Sequence, residues 1–269
     1  MANTTPQTGY APVHSLNMYY EIHGAGRPLV LLHGAMGTIG MFVELLPSLA
    51  KTHQVIAIEQ QAHGRTADID RPLRYEQMAD DTAAALRHLN IDNADVFGYS
   101  LGGGVAWQLA IRHPELVRKL VVASATYNND GIYPEVLAGI ETMFTPEAFA
   151  GSPIEAAYAR VAPNPDDFPT LVAKVQQLTR EFAGWSAEAV RAIAAPTLLI
   201  IGDSDIVRPE GAVELFRLLG GGVPGDLAGL PPSQLAVLPG TTHIAVVQRT
   251  DLLLAIIPAF LDAPLPEGM

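Results

Sequence analysis

The chain has 269 residues, of which 49% are hydrophobic and 16% charged, and it contains no cysteine. That composition excludes a disordered protein, a disulfide scaffold, and any Cys-ligated zinc, iron–sulfur or thiol-nucleophile chemistry. Sixteen basic residues against 28 acidic ones leave a net charge of −12, a sign that repels phosphate backbones and anionic lipid and argues against nucleic-acid or membrane partners.

In chain order, residues 13–23 alternate like an antiparallel hairpin with its turn near Ser15-Leu16-Asn17. Short apolar runs then recur at 28–33, 54–59, 94–98, 119–124, 196–202 and 234–239. Between and after them lie helical periodicities at 39–51, 75–89, 101–113, 209–219 and 251–261. Such alternation predicts an α/β fold with a mostly parallel, doubly wound sheet of about eight strands. One interval breaks the pattern. From about residue 127 to 193 only helical pieces occur, at 135–144, 154–161, 169–182 and 187–193. A strandless connection of that length is uncommon as a bare loop, so it is expected to be a helical cap (127–193) inserted into a core formed by 1–126 and 194–269. The Gly- and Pro-rich stretch 220–232 is expected to be a surface loop. The first twenty residues hold no Lys or Arg and no long apolar run, so no secretory signal is expected and a cytoplasmic location is.

The chemistry concentrates at Gly98-Tyr99-Ser100-Leu101-Gly102, which follows a predicted strand and opens a predicted helix. Gly-x-Ser-x-Gly in that context is the pattern of a nucleophile elbow, with glycines where a β-carbon would collide and the serine hydroxyl pushed into the open. Serine needs a base oriented by a third group. His243, in Gly240-Thr241-Thr242-His243, is the only histidine after His113 and lies beyond the last predicted strand. The third group is expected after the preceding strand, in Gly202-Asp203-Ser204-Asp205. Asp205 lies far enough past the strand end to turn back, Asp203 is better placed to cap the turn, and Asp130 is a further alternative. Oxyanion donors are expected from the Leu101 N–H and from the Ala35 N–H in His33-Gly34-Ala35-Met36-Gly37. His33 reads as a buried structural group, and His63 as a residue that orders a loop near the strand ends. No metal-binding or nucleotide-binding motif occurs, so no cofactor and no metal are expected.

Together these residues resemble the α/β-hydrolase superfamily over about residues 13–261. The resemblance is greatest to its compact, capped branch of carboxylesterases, lactonases, C–C bond hydrolases, cofactor-free haloperoxidases and epoxide hydrolases. It implies Ser100 as nucleophile, Asp205 as acid, His243 as base, and Ala35 and Leu101 as oxyanion donors. A serine rather than an aspartate nucleophile implies an acyl-enzyme, and so esters, thioesters or lactones. Where many members read Asp-x-Arg-Gly-His-Gly, this chain has Glu59-Gln60-Gln61-Ala62-His63-Gly64, with Ala62 in place of a glycine. The stretch 219–232 is longer than usual and would border the substrate entrance or a subunit contact in a homodimer. The aromatic, cation-poor cap predicts an apolar pocket, with Met36, Tyr127, Tyr133, Phe144 and Trp185 as substrate contacts. The expectation is a carboxylesterase for small to medium apolar or aromatic esters. A lactonase acting on substrates such as acyl-homoserine lactones, a C–C hydrolase or perhydrolase, and a non-enzymatic small-ligand receptor or signalling protein are the alternatives.

Overall fold

The computed structural model describes residues 5–265. Eight strands form one sheet in the order β1-β2-β4-β3-β5-β6-β7-β8. They are β1 (Gln7–Val13), β2 (Leu16–His23), β3 (Arg27–Leu32), β4 (His53–Ile58), β5 (Ala94–Tyr99), β6 (Val117–Ala123), β7 (Thr197–Ser204) and β8 (Gln234–Thr242). β1 and β2 pair antiparallel, as do β2 and β4, and from β4 onward every pairing is parallel. β3 and β5 are nearly continuous apolar runs because helices cover both sheet faces, and their side chains feed two separate buried clusters.

Three helices matter most to the site. α2 (Tyr75–His88) and α3 (Leu101–Arg112) pack on one face, and α11 (Thr250–Asp262) on the other. α3 is buried along Leu101–Ala110, so its face-to-face apolar character reflects a helix enclosed on all sides. β3 pairs with both β4 and β5, so the direction in which successive strands are added across the sheet reverses there. In open α/β sheets a crevice forms beyond the strand ends at such a switch point.

Between β6 and β7 the chain contributes only helices. These are α4 (Pro134–Met143), α5 (Pro146–Phe149), α6 (Pro153–Ala159), α7 (Phe168–Glu181) and α8 (Ala187–Arg191). Four begin with proline at the first or second helical position, where a missing N–H costs nothing. Lys174 on α7 ties this helical region to the sheet side. Its ammonium donates to Asp68 Oδ2 at 2.6 Å and to the carbonyls of Ile69 and Arg71 at 2.8 Å each.

Three local expectations are corrected. The hairpin turn is His14-Ser15, with His14 at φ +49°, and β1 starts at Gln7 rather than near residue 13. The helix expected over 39–51 is instead a single 3-10 turn, Ile39–Phe42, followed by α1 (Leu45–Leu49). Pro47 accounts for the break, since proline fits only the first turn of a helix. The 220–232 stretch contains a short helix, Gly225–Ala228; Leu227 within it and Leu230 just past it are about nine-tenths exposed.

Candidate active site

Ser100 sits between β5 and α3 at φ +54°, a left-handed conformation that L-residues adopt only under constraint. The constraint is steric. A β-carbon on Gly98 would lie 2.2 Å from the Gly102 carbonyl oxygen, and one on Gly102 would lie 2.2 Å from that of Leu32. The two glycines let helix and strands close, and the serine side chain is left pointing off the strand ends.

Ser100 Oγ lies 3.0 Å from His243 Nε2, and His243 Nδ1 lies 2.8 Å from Asp205 Oδ1. With Asp205 ionised, Nδ1 carries the proton and Nε2 is free to accept from the serine hydroxyl. Asp205 is buried just past β7 and accepts further bonds from the Ser124 hydroxyl at 2.5 Å and the N–H groups of Gly202 at 3.2 Å and Ile206 at 2.7 Å. Burial works to raise its pKa, but the His243 hydrogen bond and charge, the Ser124 hydroxyl and the Gly202 N–H outweigh it and hold the carboxyl below its ordinary value. Tyr99 completes the support of the imidazole, donating from its hydroxyl to the His243 carbonyl at 2.8 Å.

The other two acids lie elsewhere. Asp203 accepts from the Gly240 and Thr241 N–H groups at 2.8 and 3.0 Å, pinning the end of β8 rather than its own turn. Those two N–H groups hold its carboxyl below the usual value. Asp130 is in a 3-10 turn and receives Arg208 at its backbone carbonyl.

Ala35 and Leu101 flank Ser100 in the cavity wall. Leu101 is the first residue of α3, so its N–H has no intrahelical partner. Ala35 stands in a turn closed by Gly37 N–H to Gly34 O at 3.0 Å, in which Met36 takes φ +57°. His33 braces that turn: Nδ1 donates to the Gly34 carbonyl at 2.8 Å, and Nε2 accepts the Gln60 N–H at 3.1 Å. Burial lowers its pKa to about 4, which keeps the ring neutral.

A cavity of about 440 Å³ opens from Ser100 and His243 beneath α4 and α7. Val175, Leu178, Thr179 and Phe182 face it at i, i+3, i+4 and i+7 on one stripe of α7 and its C-terminal extension. Val136, Ile140 and Phe144 do the same for α4. Among the described residues no Asp, Glu, Lys or Arg lines it. Of the expected substrate contacts, Phe144 and Trp185 are in the wall. Met36, Tyr127 and Tyr133 are not. The Met36 side chain is buried in the core beneath its turn. The Tyr127 hydroxyl turns away to Glu214 at 2.6 Å. Tyr133 precedes α4, and its N–H bonds Ile206 O. Residues 219–232 do not line the cavity. A second, more open depression lies between α8 and α9 (Pro209–Leu218), away from Ser100. Among the described residues no group of three or more His, Asp or Glu side chains converges in a way that could hold a metal ion, and no helix is long and apolar enough to cross a membrane.

Sequence reasoning missed Ser124 and Tyr75. Ser124 is the polar residue directly after the apolar run of β6, at the same sheet edge as Ser100 and Asp205, and that placement was a usable signal.

The sheet order, the elbow after β5 and the helices between β6 and β7 define the α/β-hydrolase fold. A family model described as alpha/beta hydrolase fold matches residues 27–151, and the chain has the α/β-hydrolase fold. It is 28% identical over 231 residues to a provisionally named carbamate hydrolase of Azorhizobium caulinodans, covering 80% of this chain and 86% of the relative. It is 27% identical over 270 residues to a pimeloyl-[acyl-carrier protein] methyl ester esterase of Neisseria meningitidis serogroup A, covering 90% and 79%. Among solved structures, an E-2-(acetamidomethylene)succinate hydrolase superposes with a TM-score of 0.77 at 22% identity, covering 96% of this chain and all of that one.

Proposed function

We propose that the protein is a cofactor-independent serine hydrolase that cleaves uncharged carboxylic esters, with residues 127–193 acting as its cap. The observation that carries this reading is the unbroken line Asp205–His243–Ser100, opening on a cavity that no charged side chain lines among the described residues. The ester and carbamate activities named for the relatives above support it, both being attacks at an acyl carbon.

Ser100 Oγ attacks the ester carbonyl while His243 Nε2 removes its proton, and Asp205 stabilises the imidazolium that forms. The oxyanion is held by the N–H groups of Leu101 and Ala35. His243 then gives its proton to the departing alcohol, leaving an acyl-Ser100. Water, deprotonated by His243, attacks the acyl carbon; collapse breaks the bond to Ser100 Oγ, which regains its proton, and the acid leaves.

The test is kcat/KM on p-nitrophenyl esters of increasing acyl length, for wild type and Ser100→Ala, with a lactone in parallel. Ser100→Ala is expected to lower kcat/KM by at least about a thousandfold with an unchanged melting temperature. A folded mutant as active as wild type would sink the assignment. Faster opening of the lactone than of any linear ester would move the substrate class to lactones.

A further inference from the structure

Tyr75, the first residue of α2, is wedged at the aromatic end of the cavity by three neighbours. Gly104 lies one turn along α3 from Ser100, about 6 Å of helix rise, and a β-carbon there would stand 2.3 Å from Tyr75 Cε1. Phe182 and Trp185 meet the tyrosine ring edge-on at centroid distances of 5.3 and 5.5 Å. The Trp185 indole N–H is itself engaged, donating to Glu76 at 3.0 Å.

The Tyr75 hydroxyl has no hydrogen-bond partner among the described residues. Burial pushes its pKa up to about 12, with the nearby Glu76 charge adding to the effect, so it stays a neutral donor at any working pH. Of the other polar groups in the wall, the Asn129 amide donates to Phe182 O at 2.8 Å and the Thr179 hydroxyl to Val175 O at 2.9 Å, while the Thr126 hydroxyl is fully buried without a partner among the described residues. Tyr75 is part-buried, and its hydroxyl is not among the fully buried polar atoms left without a partner, so it stays within reach of water in the cavity and of a ligand that displaces that water. In a wall that carries no charged side chain among the described residues, this donor matches an acceptor arriving with the ligand.

We propose that Tyr75 is a specificity-determining residue whose hydroxyl donates a hydrogen bond to a substrate oxygen other than those of the scissile ester. Preferred substrates are then uncharged esters or lactones carrying a keto, ether or amide oxygen on the part that fills the cavity, in place of a plain hydrocarbon chain. The proposal rests on the ester-hydrolase reading above.

The experiment compares p-nitrophenyl hexanoate with its isosteres in which an ether oxygen replaces the acyl methylene at C3, C4 or C5 in turn, using wild type, Tyr75→Phe and Ser100→Ala. The ether-to-alkyl ratio of kcat/KM in wild type is divided by that in Tyr75→Phe, which cancels the intrinsic reactivity of each ester. One oxygen position is expected to give a quotient of about three to ten, the range of a single neutral hydrogen bond. A quotient within about twofold of one at every position overturns the proposal, and points to ordered water as the hydroxyl's partner. If wild type cleaves even the plain hexanoate no faster than Ser100→Ala, the ester-hydrolase reading fails and this proposal with it. The plain ester alone reports that outcome.

Discussion

His33 and His63 make the fold acid-sensitive, and the structure sets the size of the effect. Both rings are fully buried, with centroids 4.8 Å apart. His63 donates from Nδ1 to the Gln61 carbonyl at 2.8 Å, while its Nε2 has no partner among the described residues. Burial, reinforced by the neighbouring His33, lowers the His63 pKa to about 3; burial alone lowers that of His33 to about 4. The unfolded chain returns both to about 6.5. As pH falls from 7 to 5, protons therefore load onto the unfolded chain and not onto the folded one. The stability these rings contribute is complete above about pH 6.5 and drains away as pH falls towards the folded values. Because both folded values lie below 5, each histidine removes about 2 kcal/mol between pH 7 and pH 5. Two such losses are a large part of the roughly 5–15 kcal/mol that holds a domain together. Urea unfolding of wild type and His63→Phe at pH 7 and 5 measures this directly. The variant keeps a ring of similar size but loses one titrating group, so its loss over that interval should be smaller by about 2 kcal/mol. Glu59, whose carboxyl burial raises, titrates in both proteins and cancels in the difference. Equal losses in the two proteins would refute the reasoning.

Two further outcomes are expected. Ser124→Ala removes the 2.5 Å bond to Asp205 Oδ2, a charge-assisted bond worth about 1.5–3 kcal/mol, so kcat/KM should fall about 10- to 100-fold, mainly in kcat. A change of less than about twofold would mean the backbone N–H groups hold Asp205 without it. Lys174→Met leaves Asp68 and two carbonyls without their ammonium partner at a site that is partly exposed, which should cost about 1–3 kcal/mol. Amide exchange should quicken in α4 and α7 and stay unchanged in β3–β6; a uniform change across the chain would contradict the latch.

The residues whose roles were legible are those whose chemistry is fixed by near neighbours in sequence. Gly98 and Gly102 bracket Ser100 because backbone from β3, β5 and α3 meets there, and no other residue type fits. His243 stood out because the chain offers no other histidine beyond residue 113. Tyr127 and Phe144 are both aromatic and both lie next to the inserted helices, yet one points to Glu214 on α9 and the other into the cavity. That difference is set by a contact 87 residues away, which no local pattern encodes. Periodicity predicted an amphipathic α7 but could not say which apolar residues face the core and which the ligand. Leu171 and Val172 take the first role, Val175 and Leu178 the second as well.

Backbone strain follows the same geography. Among the described residues six non-glycine positions adopt left-handed φ, and His14 and Asn90 lie in turns away from the site. The remaining four are Met36, Ala62, Ser100 and Ser124, found after the C-terminal ends of β3, β4, β5 and β6. Each such residue costs on the order of 1–3 kcal/mol, and the cost is tolerable only where the surroundings over-determine the conformation. Four adjacent parallel strands provide that rigidity, since their registers are fixed on both sides by hydrogen bonds. The sheet can therefore hold Ser100 upright, turn Ser124 onto Asp205 and bend the Ala35–Met36 turn towards the cavity. The Ala62 departure from glycine belongs to this set: a methyl group is kept at φ +65° beside His63, where the buried Glu59 carboxylate, bonded to the N–H groups of Ile39 and Arg65, anchors the loop from beneath.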